Sequence, residues 1–450
     1  MKYLAFTAAL LVAVSPRLAA QGTPRDLSLD EALRVAEQNN PDYRSVQTGV
    51  RDASARERES MGAFLPQLST SLSFAGTMSA RRVGEDEFGN PLPAGEVRES
   101  TRSSTGHGAR LGIPLYERGR TSEVKATRAD SRAAGSAVLV ERGRVRAEVK
   151  RRYQDAVRAE RLIELEEQLL ASARERLDAT QRLFRIAAQG MVEVLGAEVE
   201  VARQEQAVDQ ARGDARKAKL ALGEVMGTLD VEEAKLTTGP MEVFDPASLG
   251  ADSLVTLAVR GHPRLAEAAS DVAAAGYRVS VARGQRWPKL DASLDYGRSS
   301  LRQDYDAFSD FANPFNPFDR DLSFGFSVSL PIFDQFRTST QVAQADAART
   351  RAQESLRATR LAVEREVRSA LIDLQNTFRS SQRSEHAAKL SRDRLEMARE
   401  QYRLGAISFT ELQQVVDRTA EAERDALRAR FEFAIALATL EERVGAPVGA

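Results

Sequence analysis

Two hydrophobic rhythms alternate along this chain, and each occurs twice. Leu322, Phe324, Phe326, Val328, Leu330 and Ile332 alternate with Ser323, Gly325, Ser327, Ser329 and Pro331. That is the period of a strand with one apolar and one small-polar face. Beyond Pro331 the period becomes helical. The stretch Ile113-Pro114-Leu115-Tyr116-Glu117-Arg118-Gly119-Arg120-Thr121-Ser122 returns 217 residues later as Leu330-Pro331-Ile332-Phe333-Asp334-Gln335-Phe336-Arg337-Thr338-Ser339. Each copy predicts a strand that passes into a long helix. The proline has no N–H to donate, so it marks the end of ladder pairing, and the acid after it suits a helix N-terminus.

The duplication extends well beyond the junction. Asn40-Pro41 and His262-Pro263 open blocks 222 residues apart that keep register to Leu65-Pro66-Gln67-Leu68 and Trp287-Pro288-Lys289-Leu290. Strands follow in both: Leu68, Thr70, Leu72 and Phe74 face one way and correspond to Leu290, Ala292, Leu294 and Tyr296, with Ser69, Ser71 and Ser73 opposite. Ahead of the first block, Ser28-Leu29-Asp30-Glu31 reads as a capping box, opening a helix that runs to about Ala63 with an interruption near Pro41. Between the two strands of each copy lie turn-rich segments, Arg81 to Gly106 and Ser299 to Asp321, the second carrying Phe308, Phe311, Phe315 and Phe318. Both predict long surface loops.

A helix from about Glu117 to Ile186 contains no proline and would span roughly 100 Å at about 1.5 Å per residue. Its partner is expected from about Gln335 to Leu404. Val149, Ala156, Ile163, Leu170, Leu177 and Phe184 recur at an offset of 218 as Val367, Leu374, Ser381, Ala388, Leu395 and Tyr402, a heptad seam. Short turns at Ala187–Met191 and Gly405–Ser408 lead into return helices in the same register, ending at Gly227 and Gly445 as C′ glycines. The chain thus divides into residues 1–20, a first repeat over 21–227, a linker over 228–251 with little regular structure, and a second repeat over 252–450.

Composition narrows the classes. Lys2, the apolar run Leu4–Val14 and Leu18-Ala19-Ala20 form an expected export signal. No later run is apolar enough for a transmembrane helix. The chain has no cysteine, which excludes disulfides and thiolate chemistry. A formal charge of −1 argues against a nucleic-acid partner. His107, His262 and His386 lack ligand spacing, so no metal and no cofactor is expected, and no nucleophile, base or phosphate loop marks an enzyme.

Four strands with one apolar and one polar face match an outer-membrane barrel. Four cannot close one, and open edges are not tolerated in lipid, so several chains must pool their strands. Two chains give eight, whose interior fills with side chains; three give an open conduit. At this point the chain resembles the TolC-like outer-membrane efflux proteins. The likeness rests on the signal, the duplicated half, the strand-Pro-aromatic-acid-x-x-Arg-Thr-Ser junction and the turn Tyr402-Arg403-Leu404-Gly405-Ala406-Ile407-Ser408-Phe409-Thr410-Glu411-Leu412.

The resemblance implies an α+β fold of two internal repeats: a long-helix coiled-coil barrel, with four strands per chain contributed to a trimeric transmembrane β-barrel. It implies an outer-membrane location with projection into the periplasm, and a homotrimer that exports small molecules or proteins in a tripartite efflux or type I secretion system. Expected partners are outer-membrane lipid, a periplasmic adaptor and an inner-membrane pump of the RND, ABC or MFS class. By match to the turns, Phe184, Glu193, Tyr402, Glu411 and Gln414 would lie near a periplasmic aperture, and Ala187, Gly190, Gly405, Ala406 and Ile407 at the adaptor contact. Ala187 stands where the first turn usually has glycine, and Gln414 where an acid can occur. The competing class is a periplasmic coiled-coil adaptor, which would carry one hairpin and no barrel-like strands.

Overall fold

The computed structural model describes residues 26–82, 88, 97–186, 190–239, 243–303 and 319–448. The expected export signal, the centres of both loops with Phe308, Phe311, Phe315 and Phe318, and Ala187 lie outside the described residues. In chain order the elements are β1 (Asp26–Leu27), α1 (Leu29–Asn39), α2 (Pro41–Gly62), β2 (Gln67–Arg82), β3 (Val97–Tyr116), α3 (Arg120–Arg185), α4 (Met191–Met226), β4 (Lys235–Leu236), a 3-10 turn at Pro246–Ser248, α5 (Ala251–Gly261), α6 (Pro263–Gly284), β5 (Lys289–Gln303), β6 (Asp319–Ser329), α7 (Arg337–Arg403) and α8 (Phe409–Val444). No described helix is long and apolar enough to cross a membrane.

The described residues of Met1–Pro41, Val145–Ser248 and Ile372–Thr439 form one compact unit, and those of Asp42–Arg144, Leu249–Leu371 and Leu440–Ala450 a second. Each unit draws chain from both repeats.

In the first unit, Ser28 caps α1 by accepting the Glu31 N–H at 3.2 Å. The expected linker has little regular structure but is packed. β4 pairs in parallel with β1, Leu27 opposite Leu236. The buried Tyr153 hydroxyl donates to the Leu27 carbonyl at 2.8 Å and accepts the Thr238 N–H at 3.0 Å, stitching both strands to α3. Lys219 Nζ donates to the Ala234 carbonyl at 2.8 Å, and Val231, Ala234 and Leu236 are buried beneath. Phe433 of α8 meets Phe244 and Phe378 at centroid distances of 5.6 and 6.1 Å. At the end of α4, Gly227 adopts φ 73° and the Thr228 N–H reaches back to the Gly223 carbonyl at 2.9 Å, a Schellman stop. No other residue fits Gly227, since a Cβ there would collide with the Asn39 carbonyl.

In the second unit, β2, β3, β5 and β6 form an antiparallel sheet in that order, leaving β2 and β6 as edges among the described residues. The register aligns the apolar positions: Leu68 opposes Leu111, Leu111 opposes Leu294, and Leu294 opposes Phe324. On the other face Ser69, Arg110, Asp295 and Ser323 form the matching polar row, with Arg110 paired to Asp295. The strands run to 16, 20, 15 and 11 residues. They invade the segments expected as loops because Arg82–Ser73 and Val97–Gly106 continue one antiparallel ladder.

Two junction expectations also change. In the first copy, pairing continues past Pro114 to Tyr116 through a bulge; in the second it stops at Ser329. The helices begin at Arg120 and Arg337, a few residues late, because the acids work from outside. Asp334 Oδ2 accepts the Thr338 N–H at 2.8 Å, and Glu117 pairs with Lys289 and Arg120 at 2.6 and 2.9 Å. The Arg-rich stretch of α3 is solvated and paired, with Arg144 on Glu141 and Asp42, and Arg151 and Arg152 on Glu148.

Candidate functional site

The two helix-turn-helix tips, both in the first unit, use different local chemistry. At the α7–α8 tip, Gly405 takes φ 75° in open space, so conformation alone asks for glycine there. The Ala406 N–H returns to the Gln401 carbonyl at 2.8 Å, closing α7. A full capping box then opens α8. Ser408 Oγ accepts the Glu411 N–H at 3.2 Å, while Glu411 Oε2 accepts the Ser408 N–H at 2.8 Å and its hydroxyl at 3.0 Å. These bonds, the backbone one first, hold the Glu411 carboxyl below the usual carboxylate range. The capping role sits on the same residue as the expected aperture role.

Tyr402 and Ile407 pack against the buried cluster of Ala398, Leu412, Val415 and Val416. The Tyr402 ring lies 6.3 Å from that of Phe409, and Phe409 in turn lies against Gly196 of α4, where a Cβ would stand 3.3 Å from the ring. Phe409 and Gly196 thus join the two tips, a contact the sequence reading missed. Its signal was a glycine inside a helix, which marks close approach. Gly405, Ala406 and Gln414 are exposed.

The α3–α4 tip is plainer. Gly190 is the N-cap of α4 in extended conformation, with no side-chain cap bond. The Glu193 carboxylate lies over it, occupying the space a Cβ would need, and Glu193 is half-buried. Phe184, ending the first seam, is exposed. The structure therefore gathers Tyr402, Ile407 and Glu411 into one packed turn and leaves Phe184 and Gln414 on the surface.

Between the tips and the packed linker, a second unanticipated group crosses three helices. Glu166 of α3, with its side chain 5% exposed, receives Arg424 of α8 through two bonds of 2.6 and 2.8 Å. Gln204 of α4 donates to it at 2.5 Å. Burial pushes the Glu166 carboxyl up, but the bonds and charge of Arg424, with the Gln204 amide, outweigh that and leave it below its ordinary value. Arg176 nearby is pushed down by burial, opposed by Glu200 and Asp417. The first hairpin is thereby tied to the second of the same chain.

Comparison with known proteins follows the same lines. The family model described as outer membrane efflux protein matches residues 32–228 and 254–446. No curated protein sequence matches the chain. A membrane protein from Pseudomonas aeruginosa superposes with a TM-score of 0.73 at 19% identity, over 94% of this chain and 91% of that one. The Campylobacter jejuni CmeC outer membrane channel gives 0.74 at 17%, over 93% and 85%. The open state of the Neisseria gonorrhoeae MtrE outer membrane channel gives 0.69 at 17%, over 93% and 89%.

Proposed function

Because the chain belongs to the outer membrane efflux protein family, we propose that it works as a homotrimer whose sheets join edge to edge into one twelve-stranded pore. The observation that carries this is the open sheet, apolar on one face, polar on the other, with β2 and β6 as its edges among the described residues. Phe324 and Phe326 are 80% and 73% exposed in the single chain; lipid is the solvent in which such a face is stable. Hydrocarbon tolerates no open edge, so β6 of one copy pairs with β2 of the next. The helices continue the conduit into the periplasm, and the tips meet an adaptor that links the channel to an inner-membrane pump of the RND, ABC or MFS class. Small molecules or secreted proteins are the cargo, and the pump selects among them.

At the tips, Tyr402 and Phe184 line the aperture with Glu193, Glu411 and Gln414, and Gly190, Gly405, Ala406 and Ile407, with Ala187, form the adaptor contact. Rings of Glu193 and Glu411 carboxylates concentrate cations at the entrance. The test is reconstitution of the detergent-extracted protein in planar bilayers. A trimer with stable conductance is expected, and a protein extractable without detergent would end the reading. Loss of cation preference in E193Q and E411Q checks the aperture assignment, and an unchanged preference removes it.

A further inference from the structure

The two strand-to-helix junctions are repeats of one motif, yet among the described residues only the first is covered by its own chain. Gly284, at the end of α6, approaches so near that a Cβ there would lie 2.7 Å from Gly119 N, and a Cβ on Gly119 would stand 3.2 Å from the Val281 carbonyl. The Arg118 guanidinium sits 3.9 Å from the Trp287 ring centroid. At the second junction, Ile332, Phe333 and Phe336 are 93%, 75% and 72% exposed. The rings of Phe333 and Phe336 meet edge to face at 6.0 Å. Gln335 and Phe336 hold φ of 54° and 65°, a left-handed pair without a glycine. Side chains rarely adopt that conformation unless the surroundings impose it.

The missing cover has a counterpart in the chain. At the offset of 222, Gly284 corresponds to Gly62, Val281 to Glu59 and Trp287 to Leu65. Gly62, at the end of α2, has nothing within 4 Å of its Cβ position, and Met61, Phe64 and Leu65 beside it are exposed. Among the described residues the two halves of the contact do not meet within one chain. α2 lies against α3 through Ser60 and Thr127, α3 against α6 through Asp130 and Arg278, and α6 against α7 through Arg264 and Glu366. α2 and α7 are therefore the two flanks of one layer.

We propose that Phe336 is an inter-subunit clasp, its ring seated over Gly62 of a second copy among Met61, Phe64 and Leu65. The glycine leaves room for the ring, and the left-handed pair turns the ring outward. This rests on the trimeric assembly proposed above and adds the residues of one contact to it.

The chain has no cysteine, so full-length G62C/F336C exported to the outer membrane is a clean cross-linking probe. Oxidation with copper phenanthroline should give a dimer and trimer ladder on SDS gels that reductant erases and neither single variant shows. Native electrophoresis in detergent reads the assembly independently. A trimer without the ladder overturns the clasp and leaves the assembly standing, whereas a monomer overturns both. F336G removes the ring and relaxes the backbone together: the clasp requires trimer dissociation at lower temperature, and a higher one overturns it. Quenching of F336W by brominated lipid in the assembled protein would assign the ring to the bilayer and equally overturn it.

Discussion

Helices α3 and α7 carry the same seam at a constant offset but occupy different surroundings. Along the start of α3, Ala126, Ala129 and Ala133 are buried, with α2 on one flank and α6 on the other. Over the corresponding start of α7, Thr338 is the only fully buried residue down to Val363, because α6 covers one flank and none of the described residues covers the other. The hairpins repeat the lesson. Glu166 meets Arg424 across them, while the residues 218 positions away, Ser384 and Gln206, are neutral. Duplicated sequence gives equivalent elements, and their place in the layer decides which contacts are internal.

The comparison breaks most readily at the charge pair. R424A leaves the buried Glu166 without its cation and should cost about 3 kcal/mol, read as a lower urea midpoint in detergent, whereas the matched Q206A should be nearly silent. Glycine comes next. G284A forces the α6 backbone away from Gly119 and should cost about 2 kcal/mol, the ordinary penalty of overpacking, read at the same midpoint. At the tips, S408A removes a side-chain cap that the Gly190 tip never had and should cost the second hairpin about 1 kcal/mol. Amide hydrogen exchange at α8 should accelerate while that of α4 stays unchanged.

The smallest effect is with pH. Glu411 has its folded pKa lowered by the Ser408 bonds, so its contribution is complete above the ordinary carboxylate pKa and fades as pH falls through the lowered value. Exchange at the α8 start should rise in that acidic window, and E411Q should abolish the dependence.

Much of this was legible beforehand because it is written in local periodicity. Both seams, both turns, the Ser28 cap and the C′ glycines Gly227 and Gly445 depend on residues within one or two turns of each other. The strand ends were not legible, since Val97 to Gly106 joins the ladder through its partner Arg82–Ser73 and not through its own weak pattern. Of the tip, Gly405 could be read from its turn, but the link from Phe409 to Gly196 could not: nothing near either residue in sequence names the other.

Alternation, heptads, prolines and glycines thus settled which segments are strands, which are helices and that everything occurs twice, because those choices are made by short-range sterics and by the need to bury one face. Three-dimensional packing alone settled that the linker is stitched down by Tyr153 and that Glu166 is neutralised from a hairpin 258 residues away. It also settled that α6 roofs one junction of the pair while no described residue roofs its twin. Such contacts join residues remote in the chain, and a repeat carries no mark of which copy will find its neighbour within the same molecule.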